Sequence, residues 1–344
     1  MSSRRVGTRS RSRSRSRIAG SALAAGATAV GLLALTACGS DDGGGGGDGA
    51  GGDRLDVVAS FYPMEFLAER IGGDHVSVST LTEPGVEPHD LELSPRQTAR
   101  VSDADLVVYL AGLQPTVDDA VETAGVEHVA EATSFTTLEE HGDDVDGHGD
   151  EHGDEHAEEG HEGHDHDHEG GDPHIWLDPA KYAEVAQGVG DALADADPDH
   201  AADYARNTET LVAELHALDD EFATGLEGRT SDTFITTHAA FGYLAEAYGL
   251  HEEAITGIDP ESEPSGARMR DLQEIAEADG VTTVFFETLV SDDTARTLAD
   301  DLGLRTAVLD PVEGITDESP GADYLSVMRA NLAALQEALG VPAA

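Results

Sequence analysis

The chain has 344 residues, room for two ordinary domains, and carries 70 acidic against 19 basic residues, for a net charge of −51. Such a surface makes nucleic acid and anionic lipid poor partners and a cation a good one, while most of the acids read as general solvation. One cysteine rules out an intramolecular disulfide, so the fold must stand on its apolar core.

Residues 1–17 hold seven arginines and no acid, and 18–37 are small and apolar. That order describes an export signal, preferred here to a spanning anchor although ~20 apolar residues could cross a bilayer. Without 1–37 the net charge is near −58, because seven positive charges leave and no negative ones. The stretch LTAC, Leu35 to Cys38, resembles a bacterial lipobox, which implies cleavage before Cys38 and lipid on its sulfur and amine. The Gly/Asp-rich 38–53 then reads as a flexible tether, so the domain is expected outside the cytoplasm, held to the outer face of the membrane by its lipid alone.

After the tether, strands alternate with helices. LDVVAS (55–60) reads as a strand, 63–72 as a helix and VSVSTL (76–81) as a strand. A helix over 94–104 starts at Ser94 with Pro95 next and Gln97 completing a capping box. LVVYLA (106–111) and VEHVAEA (126–132) read as further strands. This alternation predicts an α/β lobe with a parallel sheet flanked by helices, over 54–177. Linking helices occupy 178–228, started by Asp178-Pro179 and Asp197-Pro198. The second of them, over 198–226, is long enough to bridge two lobes. Over 229–344 the alternation returns, with strands DTFITT, EEAIT, TTVFFE and RTAVLD and a closing helix at 322–339. No internal sequence repeat is visible.

Residues 139–171 interrupt the first lobe. They hold eight of the sixteen histidines and eight glycines among dense acids, with no aromatic residue. Such a segment has too little apolar area to offset ordering and is expected to be a disordered loop. Its histidines, His161, His164, His166 and His168 above all, could hold metal weakly. A collector or sensor of metal supply is the preferred role; a solvated insertion without consequence is the alternative.

In parallel α/β sheets ligands bind beyond the carboxyl ends of strands. His89 lies in the loop after 76–81, His238 follows DTFITT, Glu287 follows TTVFF, and Asp310 ends RTAVLD. His174 stands between the first lobe and the linking helices. Three histidines and carboxylates thus converge between two lobes, although a single histidine after a strand is more often a capping or hydrogen-bonding residue.

At these residues a resemblance becomes close. PGVEPHDLELSP, DPHIWLDP, THAAFGYLAEAYGL, DPESEPSGARM and LDPVEGIT resemble, in order, the motif series of the metal-binding lipoproteins of zinc and manganese ABC importers. The resemblance runs from residue 55 to the end, interrupted by the histidine-rich segment. It implies two α/β lobes joined by one long rigid helix, with the metal between them. It implies three ligands, His89, His174 and His238, and as fourth ligand a carboxylate matched to Asp310, which some zinc members replace with another group or water. It also implies zinc, since the zinc members have histidine as third ligand and the manganese members a carboxylate. The chemistry agrees, because imidazole suits zinc and carboxylate suits manganese.

The expectation is a monomeric binding protein that captures Zn2+ and passes it to the permease and ATPase of an ABC importer, with manganese or iron as the alternative cargo. A zinc hydrolase is the competing class, since three histidines with an open fourth position can activate water. Glu87 and Glu263 could serve as base, but no HExxH motif is present and Asp310 fills the fourth position, so no enzyme is expected.

Overall fold

The computed structural model describes residues 54–142 and 171–342. The export signal, Cys38, the tether to residue 53, and His161, His164, His166 and His168 lie outside the described residues. Among the described residues no helix is long and apolar enough to cross a membrane.

Two four-stranded parallel sheets form the frame. The first contains β1 (Leu55–Ala59), β2 (Val76–Thr80), β3 (Leu106–Tyr109) and β4 (Val129–Glu131) in the order β2-β1-β3-β4. The second contains β5 (Thr233–Thr236), β6 (His251–Ala254), β7 (Thr283–Phe286) and β8 (Arg305–Val308) in the order β6-β5-β7-β8. The two lobes therefore repeat one topology that the residues themselves do not reveal. In each sheet the strand order reverses beside the first strand, and such a switch point opens a crevice at the carboxyl ends.

Both sheets bury both faces, as parallel sheets with crossover helices must. Val57 and Ala59 enter a core shared by the two lobes, while Val58 between them faces a separate cluster with Val101, Val107 and Val117. In the second lobe Phe234 and Phe285 join the shared core, while Ile235 and Val284 pack outward against Leu272 and Leu298.

The helices follow in chain order: α1 (Tyr62–Gly72), α2 (Pro95–Asp103), α3 (Pro115–Ala124), α4 (Pro179–Ala196), α5 (Ala201–Gly225), α6 (Gly242–Tyr248), α7 (Arg268–Asp279), α8 (Asp293–Leu302) and α9 (Tyr324–Ala338). The Ser94–Gln97 capping box is present, and the Asp178 carboxylate caps α4 by accepting from Ala180 N–H. Asp197 departs from expectation. Residues Pro198–His200 form a 3-10 turn, and the Asp197 carboxylate accepts from His200 Nδ1 and the Tyr204 hydroxyl instead of capping a helix. The α-helix starts only at Ala201.

Helix α5 has 25 residues and is about 37 Å long. Up to its middle it touches the first lobe, through Asn207 Nδ2 to the Ile71 carbonyl (2.8 Å) and the Arg70–Glu214 ion pair (2.6 Å). Its second half touches the second lobe, through the Tyr248 hydroxyl to Asp219 (3.0 Å), Phe222 stacked on Tyr248, and Arg329 on Glu221. Trp176 joins the lobes directly. Its indole donates to the Pro311 carbonyl (2.7 Å), and its own carbonyl accepts from the Tyr324 hydroxyl (2.6 Å).

Candidate metal centre

Each histidine of interest is placed by its own backbone. His89 sits in the loop after β2, where Glu87 accepts from the backbone N–H groups of His89 and Asp90. The buried Gln114 donates to the Pro88 carbonyl, which fixes the approach to His89. His174 precedes a short 3-10 turn and is fully buried; its backbone N–H and its Nδ1 both meet Asp172 Oδ1, at 2.9 and 2.7 Å. His238 follows β5, is fully buried, and turns its Nδ1 to Glu287 Oε1 (2.6 Å), an oxygen that the Thr237 hydroxyl also engages.

These anchors aim three Nε2 atoms at one point. The carboxylate they meet is Glu313. Its Oε1 lies 3.4, 3.5 and 3.6 Å from Nε2 of His89, His174 and His238. One ligand atom from each of the four residues lies within 4.8 Å of all the others. Those spacings are longer than good N–H···O bonds. They match the separation of about 3.4 Å between ligand atoms arranged tetrahedrally at ~2.0–2.1 Å from a zinc ion. Nε2 of His174 and of His238 are buried and have no hydrogen-bond partner among the described residues. Buried nitrogens without partners are costly unless something binds them.

Asp310, expected as the fourth carboxylate, is not in the group. Its Oδ1 accepts from Val312 N–H (2.8 Å) and its Oδ2 from the Thr288 hydroxyl (3.1 Å), so it closes a turn. The strand ends at Val308 rather than at Asp310, and Val312 adopts φ +60°, unusual for a β-branched residue. That turn carries the chain inward and delivers Glu313, three residues on. Glu313 stands in the LDPVEGIT stretch, but no spacing rule separates it from Asp310. Glu87 borders the site through His89, whereas Glu263 is exposed and outside the group.

The family model described as "Zinc-uptake complex component A periplasmic" matches residues 57–338. The chain belongs to that family. The high-affinity zinc uptake system protein ZnuA of Bacillus subtilis is 35% identical over 310 residues, covering 89% of this chain and 94% of that protein. The zinc-binding lipoprotein AdcA of Streptococcus pneumoniae serotype 4 is 33% identical over 312 residues, covering 89% of this chain but 60% of that protein. Against such streptococcal relatives the chain thus spans less than two thirds of their length. The Zn(II)-bound crystal structure of AdcA from Streptococcus pneumoniae superposes with a TM-score of 0.68 at 32% identity, covering 83% of this chain and 58% of that one.

Electrostatics in this member of the zinc-uptake family favour a charged centre. Burial alone would lower the pKa of His174, but the Asp172 carboxylate, helped by Glu313, pushes it up to about 9. His238 is likewise raised well above its usual value, by Glu287 and Glu313 acting against burial. Burial works against the ionised form of Glu313, yet the three imidazoles gathered around it hold its pKa well below the usual carboxylate range. Asp310 differs. Burial pushes it up to about 6, with the like charges of Glu313 and Glu287 adding to that shift.

The segment that leads into the histidine-rich stretch is tied to the same centre. Asp172 N–H donates to the Glu139 carbonyl (2.9 Å), which closes a neck. The sole lysine, Lys181, donates to the Thr137 carbonyl (2.9 Å) and lies over the Tyr243 ring. His141 Nδ1 meets Asp172 Oδ2, and its Nε2 meets Glu246 Oε2, both at 3.0 Å. Asp172 therefore bridges His141 and His174.

Proposed function

We propose that this chain is the capturing component of a zinc importer. It binds Zn2+ outside the cytoplasm through His89, His174, His238 and Glu313, and passes it to the permease of an ABC transporter driven by its ATPase. The observation that carries the reading is the convergence of three Nε2 atoms and one carboxylate oxygen within 4.8 Å, two of the nitrogens being buried and unpartnered. The names of the relatives support zinc as cargo. So does the donor set, since three imidazoles and one carboxylate suit zinc better than manganese or iron. In this reading Cys38 carries the lipid anchor, the protein is a monomer, and the histidine-rich segment gathers metal near the neck. With Glu313 as fourth ligand, no coordination position is left for a reactive water, which supports binding over hydrolysis.

Chelator competition with the protein that begins at residue 39 tests this. One tight zinc equivalent is expected, lost when His174→Ala and His238→Ala are combined, with manganese bound far more weakly. A protein that prefers manganese, or that keeps tight zinc after both substitutions, would overturn the reading.

A further inference from the structure

We infer that His141, the first histidine of the histidine-rich stretch, is a positioning residue for the metal ligand His174. The inference deepens the proposed function and rests on its zinc reading. His174 can offer its Nε2 lone pair only while Nδ1 carries the proton and donates it to Asp172 Oδ1. Asp172 is fully buried, so the orientation of its carboxylate depends on what holds the other oxygen. That partner is His141 Nδ1, at 3.0 Å from Oδ2. Without it, Oδ2 would be a buried carboxylate oxygen with no donor, free to rotate towards any other polar group.

The surroundings hold the His141 ring in this pose. Tyr243 packs against it edge-on at 4.6 Å, and the Tyr243 hydroxyl donates to the Asp172 carbonyl. Gly242 leaves it room, because a Cβ there would lie 2.5 Å from His141 Cβ and Cγ. Glu246, one turn further along α6, anchors the far nitrogen. The first turn of α6, four residues after the ligand His238, thus cradles the residue that steadies the ligand His174. A histidine that served only the segment beyond it would need none of these contacts.

The test measures zinc dissociation constants and the visible spectrum of the Co2+-loaded protein in full-length mature protein carrying His141→Ala or His141→Asn. His141→Ala should weaken zinc by about 10- to 100-fold, the usual cost of losing an outer partner of a metal-bound histidine. It should also change the intensity of the Co2+ bands, because His174 would tilt. His141→Asn keeps an N–H donor near Nδ1 and should restore most of both. If His141→Ala binds zinc like the parent, the inference is wrong. It is equally wrong if affinity falls while the Co2+ spectrum stays unchanged and asparagine rescues nothing, since His141 would then serve only the fold of the neck. Failure of the parent itself to bind zinc would instead remove the proposed function.

Discussion

Glu313 and Asp310 are three residues apart, both buried and both acidic, yet they do opposite work. Glu313 faces the imidazoles, and Asp310 holds the turn that brings it there. On the proposed function Glu313→Gln removes the one negative ligand, so zinc affinity should fall at least as far as the about 10–100-fold typical of losing an outer partner. Asp310→Asn keeps an acceptor for Val312 N–H and should leave affinity close to the parent's. Competition titration of both variants checks this, and the reverse ranking would restore Asp310 as the ligand. The raised pKa values give a second outcome. Zinc needs neutral imidazole, so it must displace the protons that His174 holds below about 9 and that His238 also retains. Apparent affinity should keep climbing from neutral pH to about 9, rather than levelling off near the ~6.5 of a free imidazole. Calorimetry at pH 7 in buffers of different ionisation enthalpy should show proton release on binding; release of no protons would contradict these shifts. For the metal-free fold the sign is the opposite. A raised histidine pKa contributes stability that is complete below ~6.5 and is lost as pH rises through about 9. Thermal unfolding without zinc should therefore weaken over that window, and zinc-loaded protein should not follow it.

Elements were legible where periodicity and punctuation agree. β1, β3, β5 and β7 are short apolar runs bounded by turn residues, and the Ser94 capping box marked α2. Helix α3 was not legible, because PTVDDAVETA buries only Val117, Ala120 and Val121 and has no side-chain cap. The turn at Val312 was hidden for a related reason. Positive φ is normally announced by glycine or asparagine, and here a fully buried valine takes it, so tertiary packing overrides the local preference. The three histidines could be read because each follows a strand or opens a helix. Glu313 could not, because its position depends on that one turn. Close packing of whole elements gives another expectation. Gly190 on α4 lies where a Cβ would come within 2.2 Å of Thr208 Oγ1 on α5. Gly190→Ala should push the two helices apart and cost about 1–3 kcal/mol, seen as a lower denaturant midpoint with an unchanged slope. An unchanged midpoint would mean that α5 is less tightly seated than these contacts imply.

At the scale of the whole molecule, the two lobes share one core and one long helix, and the four residues of the candidate metal centre come from both. The two described ends of the histidine-rich stretch meet at a neck closed by Asp172 N–H on the Glu139 carbonyl. Lys181 and Tyr243 hold the outgoing segment of the neck in place. The body should therefore not depend on what lies between the two ends. A deletion of residues 144–169 keeps His141, Gly142, Gly171 and Asp172, and with them the contacts that reach His174. Shortening a loop changes its closure by only ~0.6 kcal/mol per halving, so the fold should survive. The deleted protein should keep one tight zinc equivalent and lose the weaker ones, and cells carrying it should take up scarce zinc more slowly. A longer deletion, 141–168, also removes His141 and should weaken the tight equivalent as His141→Ala does. The two deletions thus separate supply from coordination. If the shorter one abolished tight binding in protein that is still folded, the histidine-rich stretch would itself be furnishing ligands. His89, His174, His238 and Glu313 would then be an incomplete description of the site.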